Sequence, residues 1–182
     1  MVNRLLKIVE VRANVAADGN EALYWVASYG DLEVVNRLLE IEEVSACAAA
    51  DDNWALSCAA RNGHLEVVSR LLEIEAVRAH AAAKYNDALT LAAGNGHLEV
   101  VNRLLEIEEV SACAAVDDNW ALRCAARNGH LEVVNRLLEI NEVRANVGAR
   151  NNCALRIAAA KGHSEVAHAL AKMQWPLGKQ DM

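Results

Sequence analysis

Between residues 50 and 82 the apolar positions fall into two groups with helical spacing. Leu56, Ala59 and Ala60 stand at i, i+3 and i+4, one face of a short helix from Asn53 to Arg61. Val67, Val68, Leu71, Leu72 and Ile74 supply the apolar face of a second helix, from about Leu65 to Glu73. Asn62-Gly63 ends the first helix, because glycine enters the left-handed conformation without a Cβ penalty. Asp52 or Asn53 is expected to cap its start through a side-chain oxygen. Glu66 and Arg70, four apart, are expected to pair on the solvent side, adding roughly a few tenths of a kcal/mol.

This pattern recurs every 33 residues. Gly30, Gly63, Gly96, Gly129 and Gly162 keep that interval, and around them read GDLEVV, GHLEVV three times, and GHSEVA. The Ala-Leu pairs beginning at Ala22, Ala55, Ala88, Ala121 and Ala154 stay in phase with them, as do Ile8, Ile41, Ile74, Ile107 and Ile140. Residues 36–68 and 102–134 differ only at Ala50/Val116 and Ser57/Arg123, so a two-repeat unit has been copied. A lone helix pair cannot bury its apolar face; stacked pairs make one continuous core. Ala59 and Ala60 suit close approach of successive first helices. At about 8–10 Å per layer, five units would extend roughly 50 Å.

At these residues the chain resembles ankyrin repeats, whose unit has 33 residues. The resemblance runs from residue 2 to about residue 172 and rests on GHLEVV, the following Leu-Leu, and Ala-Leu-x-x-Ala-Ala-x-x-Gly-His. Ala55 stands where the family has Pro, and Trp54 and Ser57 replace its Thr and His. The family ends its second helix on Gly and turns a β-hairpin on another. Here the first position holds Val9, Glu42, Glu75, Glu108 and Asn141, and the second Gly19, Asp52, Tyr85, Asp118 and Asn151. Asp and Asn tolerate the turn conformation; Tyr85 does so poorly. Val44, Val77, Val110 and Val143 follow the Ile column by three residues, which suggests that helix two runs on. The expected fold is therefore all-α: an ankyrin-like solenoid of about five helix-loop-helix units with long loops and little or no β-hairpin. Residues 1–182 form one array: a half-repeat cap over 1–16, repeats over 17–49, 50–82, 83–115 and 116–148, and a capping repeat with tail over 149–182. The half repeat either caps the stack or marks a cut from a longer chain. Trp175 is expected to fold over the last layer.

The composition agrees. Of 182 residues, 54% are hydrophobic but only 4% aromatic, with no Phe, so packing relies on small side chains. No apolar run approaches the roughly 20 residues of a membrane span, and the start, Met-Val-Asn-Arg-Leu-Leu-Lys, lacks a secretory pattern. Net charge is −7, which disfavours nucleic acid, whose phosphates need clustered bases. The charge is uneven: 20 acids and 9 bases lie in residues 1–122, 5 acids and 9 bases in 123–182.

The search for chemistry returns structural explanations. Cys47, Cys58, Cys113, Cys124 and Cys153 form no CxxC; their odd number favours a reducing compartment and free thiols filling small spaces. His64, His97, His130 and His163 are one per repeat, about 10 Å apart, too far to share a zinc; each is expected to bond between loops of adjacent repeats. His80 and His168 have no ligand cluster nearby in sequence. Asp51-Asp52 and Asp117-Asp118 enter first helices and read as caps. No phosphate loop, nucleophile elbow or HExxH occurs. No enzyme activity, cofactor or metal is expected.

The changeable columns point elsewhere. Second helices barely vary between repeats, whereas first helices and loops do: Trp25, Cys58, Leu91, Cys124, Ile157 in one column, Ser28, Arg61, Gly94, Arg127, Ala160 in another, and Asp18, Asp51, Lys84, Asp117, Arg150 at loop tips. The resemblance implies that loops and first helices line a concave face that grips a protein partner. The candidate contacts are Trp25, Arg61, Leu91, Arg127 and Ile157, rimmed by Asp18, Asp51, Lys84, Asp117 and Arg150. Filling gaps left by the missing hairpins is an equal reading of Trp25, Leu91 and Ile157, and the favoured one for Trp54 and Trp120. The expected function is a non-enzymatic protein-binding module, monomeric and cytoplasmic, in a host cytoplasm if the chain is a secreted bacterial effector. An alternative is a targeting or scaffold fragment of a larger effector or enzyme whose catalytic domain lies elsewhere. Self-association through Leu5, Leu6 and Ile8 at the stack end is a third reading.

Overall fold

The structure of the chain, a computed structural model, describes residues 20–174. The half-repeat cap, Asp18, Leu5, Leu6, Ile8 and Trp175 lie outside the described residues. Within them the chain is helical, with no β-strand. Five first helices are α1 (Glu21–Tyr29), α4 (Ala50–Arg61), α7 (Ala83–Asn95), α10 (Val116–Asn128) and α13 (Ala149–Lys161). Five second helices follow them: α2 (Leu32–Leu39), α5 (Leu65–Leu71), α8 (Leu98–Leu105), α11 (Leu131–Leu138) and α14 (Ser164–Gln174). Between one repeat and the next lies a five-residue helix: α3 (Glu42–Ala46), α6 (Glu75–Ala79), α9 (Glu108–Ala112) and α12 (Asn141–Ala145).

The short helices correct the expectation that helix two runs on. It stops before the Ile column, where Ile41, Ile74, Ile107 and Ile140 are extended, with φ from −78 to −89° and ψ from 118 to 125°. That kink leaves Ile41 3% and Ile107 7% exposed. It also redirects the chain so that Val44, Val77, Val110 and Val143 are fully buried from a separate helix. The Val column belongs to the core, but a separate short helix carries it.

A second correction concerns the start of helix one. Asp51, Asp52 and Asn53 have φ of 50, 58 and 64°, a left-handed turn of three residues before the right-handed helix begins at Trp54. Lys84-Tyr85-Asn86, Asp117-Asp118-Asn119 and Arg150-Asn151-Asn152 repeat it, and Asn20 has φ 68°. Each such residue carries a steric cost of about 1–2 kcal/mol when it has a Cβ. No side chain caps these helices. The asparagine is used differently: Asn20, Asn53, Asn86 and Asn119 are at most 3% exposed. Their Nδ2 atoms donate to the carbonyls of Val44, Val77, Val110 and Val143 at 2.7–2.8 Å. The bond ties the start of helix one to the short helix of the same repeat, the place where a hairpin would otherwise fix the chain.

Stacking follows from small side chains. Ala59, Ala60, Ala92, Ala93, Ala125 and Ala126 are fully buried, with Leu56, Leu89 and Leu122 beside them. Each buried Leu contributes roughly 1.5–3 kcal/mol. First helices pack on one another extensively, second helices sparingly. The first helices therefore form the closely packed, inner side of the stack and the second helices its looser, outer side. Repeats are further joined by the histidine column, as expected. His64, His97, His130 and His163 Nε2 bond the carbonyls of Ser28, Arg61, Gly94 and Arg127 in the preceding repeat at 2.9–3.1 Å. On the outside, Arg70 does not pair with Glu66: it bonds Asn36 Oδ1 of the preceding repeat at 2.8 Å and Glu73 at 3.2 Å. The i+3 partner leaves the guanidinium free to make both contacts.

Candidate functional site

The inner strip is built from three positions per first helix, spaced i, i+4 and i+7, that point away from the core. In successive repeats they are Glu21, Trp25, Ser28; Trp54, Cys58, Arg61; Asp87, Leu91, Gly94; Trp120, Cys124, Arg127; and Cys153, Ile157, Ala160. Every one is exposed or half-buried. The left-handed turns border the strip with Asp51, Lys84, Asp117 and Arg150, all exposed. Of the expected contacts, Trp25, Arg61 and Arg127 are exposed and Leu91 and Ile157 half-buried; Asp18 lies outside the described residues.

The strip is aromatic at its beginning. Trp25 is 49% exposed and stacks near Tyr24 and Tyr29, with ring centroids 5.1 and 6.4 Å away. Tyr24 Oη and Trp25 Nε1 both donate to Glu21 Oε1, at 3.1 and 3.4 Å, which fixes the indole's tilt. Trp54 and Trp120 are each 37% exposed. Both carry cations. Lys84 Nζ lies 5.5 Å from the Trp54 ring and the Arg123 guanidinium 4.6 Å from that of Trp120. Such contacts are worth about 0.5–2 kcal/mol, more as water is excluded.

The two near-identical copies diverge here through one residue. Ser57 in repeat two is replaced by Arg123 in repeat four, buried at 5% exposure. Its guanidinium donates to the Asp117 carbonyl at 2.9 Å and meets the Asp117 carboxylate at 3.5 Å. Arg150 then bridges Asp118 at 2.8 Å and Asp117 at 3.3 Å, and the hydrogen bond to Asp118 raises its pKa. Asp117 and Arg150, both expected at the rim, are thus engaged with each other. In repeat two Asp51 is left without an ion pair among the described residues, because Lys84 turns to Trp54.

Asp87 was not singled out by sequence reading, nor was Arg123 placed on this face. The signal for Asp87 was present: position 87 is i−4 from Leu91, and its column reads Glu21, Trp54, Asp87, Trp120, Cys153, as changeable as the neighbouring columns. Its carboxyl is half-buried and pushed above the usual aspartate range by burial, which the nearby Lys84 only partly offsets. Burial likewise raises the thiols of Cys58 and Cys124, keeping them protonated and weak as nucleophiles. All five cysteines are free, but Cys47 and Cys113 are exposed at the ends of α3 and α9 rather than filling small spaces.

The faces differ in charge. Among the described residues, first helices and their turns hold six acids and seven bases; the second and short helices with their joining loops hold 16 acids and seven bases. The excess negative charge therefore sits on the second-helix side and the inner strip is balanced. A groove of about 690 Å³ between α11 and α14, lined by Leu131, Asn135, Glu165, His168 and Met173, lies on the second helices and does not continue the strip. Among the described residues no group of three or more His, Cys, Asp or Glu is placed to hold a metal, and no helix is long and apolar enough to cross a membrane.

Comparison with known proteins agrees with this architecture. A family model described as ankyrin repeats (3 copies) matches residues 1–80 and 89–178. Among solved structures, an ankyrin repeat family protein from Legionella pneumophila is similar: 33% identity and a TM-score of 0.60 over 73% of this chain and 43% of that one. The present chain therefore spans less than half the length of that protein. No curated protein matches. With nearly the whole sequence covered by the family's repeats, the chain belongs to the ankyrin-repeat family.

Proposed function

We propose that the chain is a non-enzymatic protein-binding module whose inner strip of first helices and left-handed turns holds a protein partner. One observation carries the reading: three first-helix columns, those of Trp54, Cys58 and Arg61, change from repeat to repeat and are open to solvent on one side of the stack in every repeat, while the apolar columns repeated in each unit are buried. Trp25, Arg61 and Arg127 are residue types that dominate interface energies, and a stable complex would bury about 800 Å² on each partner. Leu91 and Ile157 supply apolar contact between them. The balanced charge of the strip, against the acidic outer face, steers a partner toward the inside. The chain acts as a monomer in a reducing compartment, the cytoplasm of its own cell or of a host, in keeping with five free thiols.

The test is capture of the partner on immobilised chain from the native cell, then affinity measurement with single substitutions. Trp25→Ala, Arg61→Ala and Arg127→Ala should each weaken binding tenfold or more, and Arg37→Ala and Arg103→Ala on second helices less than twofold. The opposite ranking moves the binding face to the outside. A second reading has support from the length of the Legionella protein, of which this chain covers 43%: the array delivers or anchors a larger effector or enzyme. It makes the same contact for a different purpose.

A further inference from the structure

Trp54, Asp87 and Trp120 occupy one column in three consecutive repeats, each the first right-handed residue after its asparagine. The neighbouring Lys84, Arg123 and Arg150 already have partners. Lys84 lies over Trp54, Arg123 over Trp120 and against Asp117, and Arg150 on Asp117 and Asp118. Asp87 alone at the centre of the strip is half-buried and makes no hydrogen bond or ion pair among the described residues. A carboxylate in a first helical turn is ordinarily favoured by the helix dipole. Here partial burial pushes the carboxyl above the usual aspartate range, and the charge of Lys84 offsets this only in part. Such a group gains most from a cation brought by another molecule.

We propose that Asp87 is the specificity-determining contact of the inner strip, receiving an arginine side chain from an extended protein segment laid across the first helices. This rests on the protein-binding reading above and names the partner's chemistry. Arginine fits better than lysine: its guanidinium is planar, more weakly hydrated, and seats two donors on one carboxylate. Leu91, one helical turn beyond Asp87, offers apolar contact to the arginine's methylene stem. Arg61 and Arg127, on the flanking repeats, are exposed and make no ion pair among the described residues. They call for acidic side chains on either side of that arginine, about three to five residues away in an extended segment at roughly 3.3 Å per residue.

The test uses a random dodecapeptide library displayed on phage, selected against the immobilised chain. Enriched peptides should share an arginine, with acids flanking it. Asp87→Asn should lower their affinity tenfold or more, and Glu66→Gln on a second helix less than twofold. Replacing the peptide's arginine by citrulline, which leaves the chain untouched, should cause the same loss, and the two changes together should cost no more than either alone. Peptides that weaken with Trp25→Ala or Arg127→Ala but ignore Asp87→Asn, or that share no basic residue, overturn the assignment of Asp87 and leave the inner strip standing. Peptides indifferent to every inner-face substitution, or no enriched peptide, overturn both.

Discussion

At the scale of single residues, the buried asparagines and Asp87 hold the account together. Asn86 is 1% exposed, adopts a left-handed conformation and donates to the Val110 carbonyl at 2.8 Å. Asn86→Ala removes that donor, strands a buried carbonyl and leaves a Cβ residue at φ 64°. It should cost about 2–3 kcal/mol in urea denaturation, at the upper end for a buried unsatisfied group; a loss under 0.5 kcal/mol would mean the bond does not anchor the short helix. Asp87 gives the opposite sign. Its pKa is raised in the folded state, so the ionised form is the strained one. The cost is present above the folded pKa and vanishes below the unfolded value of about 4. Asp87→Asn should therefore raise the denaturation midpoint at pH 7, with the gain shrinking as pH falls through the carboxylate range; Lys84 is the one charge that acts against this. A gain independent of pH would place its origin elsewhere. The asparagine role was not legible in the sequence. Asn before a helix reads as a cap, and only the left-handed turn reveals that its side chain points inward to a carbonyl 24 residues away.

Elements are held in register by the glycine and histidine columns. Gly96 has φ +79°, and a Cβ there would stand 2.5 Å from His130 Nδ1 of the next repeat; Gly162 has φ +81° but open space around it. The two substitutions separate strain from crowding. Gly162→Ala should cost about 1–2 kcal/mol for the positive φ alone, and Gly96→Ala a further 1–3 kcal/mol because the ring of His130 must move. Equal losses in thermal or urea unfolding would show that the histidine contact is slack. Helix existence and pairing were readable because Leu56, Ala59, Ala60 and Val67, Val68, Leu71 repeat at helical spacing, and the histidine bonds because one ring per repeat has a fixed neighbour. The short helices were not. Ile41 and Val44 are three apart, which is compatible with a continuing helix. Only the packing of Ile41 in an extended conformation, 3% exposed, shows that the chain turns before Glu42.

Over the described residues, first helices pack closely and second helices sparsely, and the charge divides between the same two sides. The sequence carried an acid-to-base gradient along its length. It did not carry the difference between faces, since that requires knowing that Glu42, Glu75, Glu108 and Glu142 sit on short helices outside the strip. Of the expected contacts, Trp25, Arg61 and Arg127 lie where helical spacing puts them. Asp117 and Arg150 are engaged with each other because Arg123, one of the two differences between the copied units, leaves Trp120 already covered. The measurement that bears most directly on the account is hydroxyl-radical footprinting of the captured complex, read residue by residue by mass spectrometry. Oxidation of Trp25, Trp54 and Trp120 should fall several-fold when partner is bound, while His168 and Met173 on α14 keep their free rates. Protection of His168 and Met173 with unchanged tryptophans would contradict it.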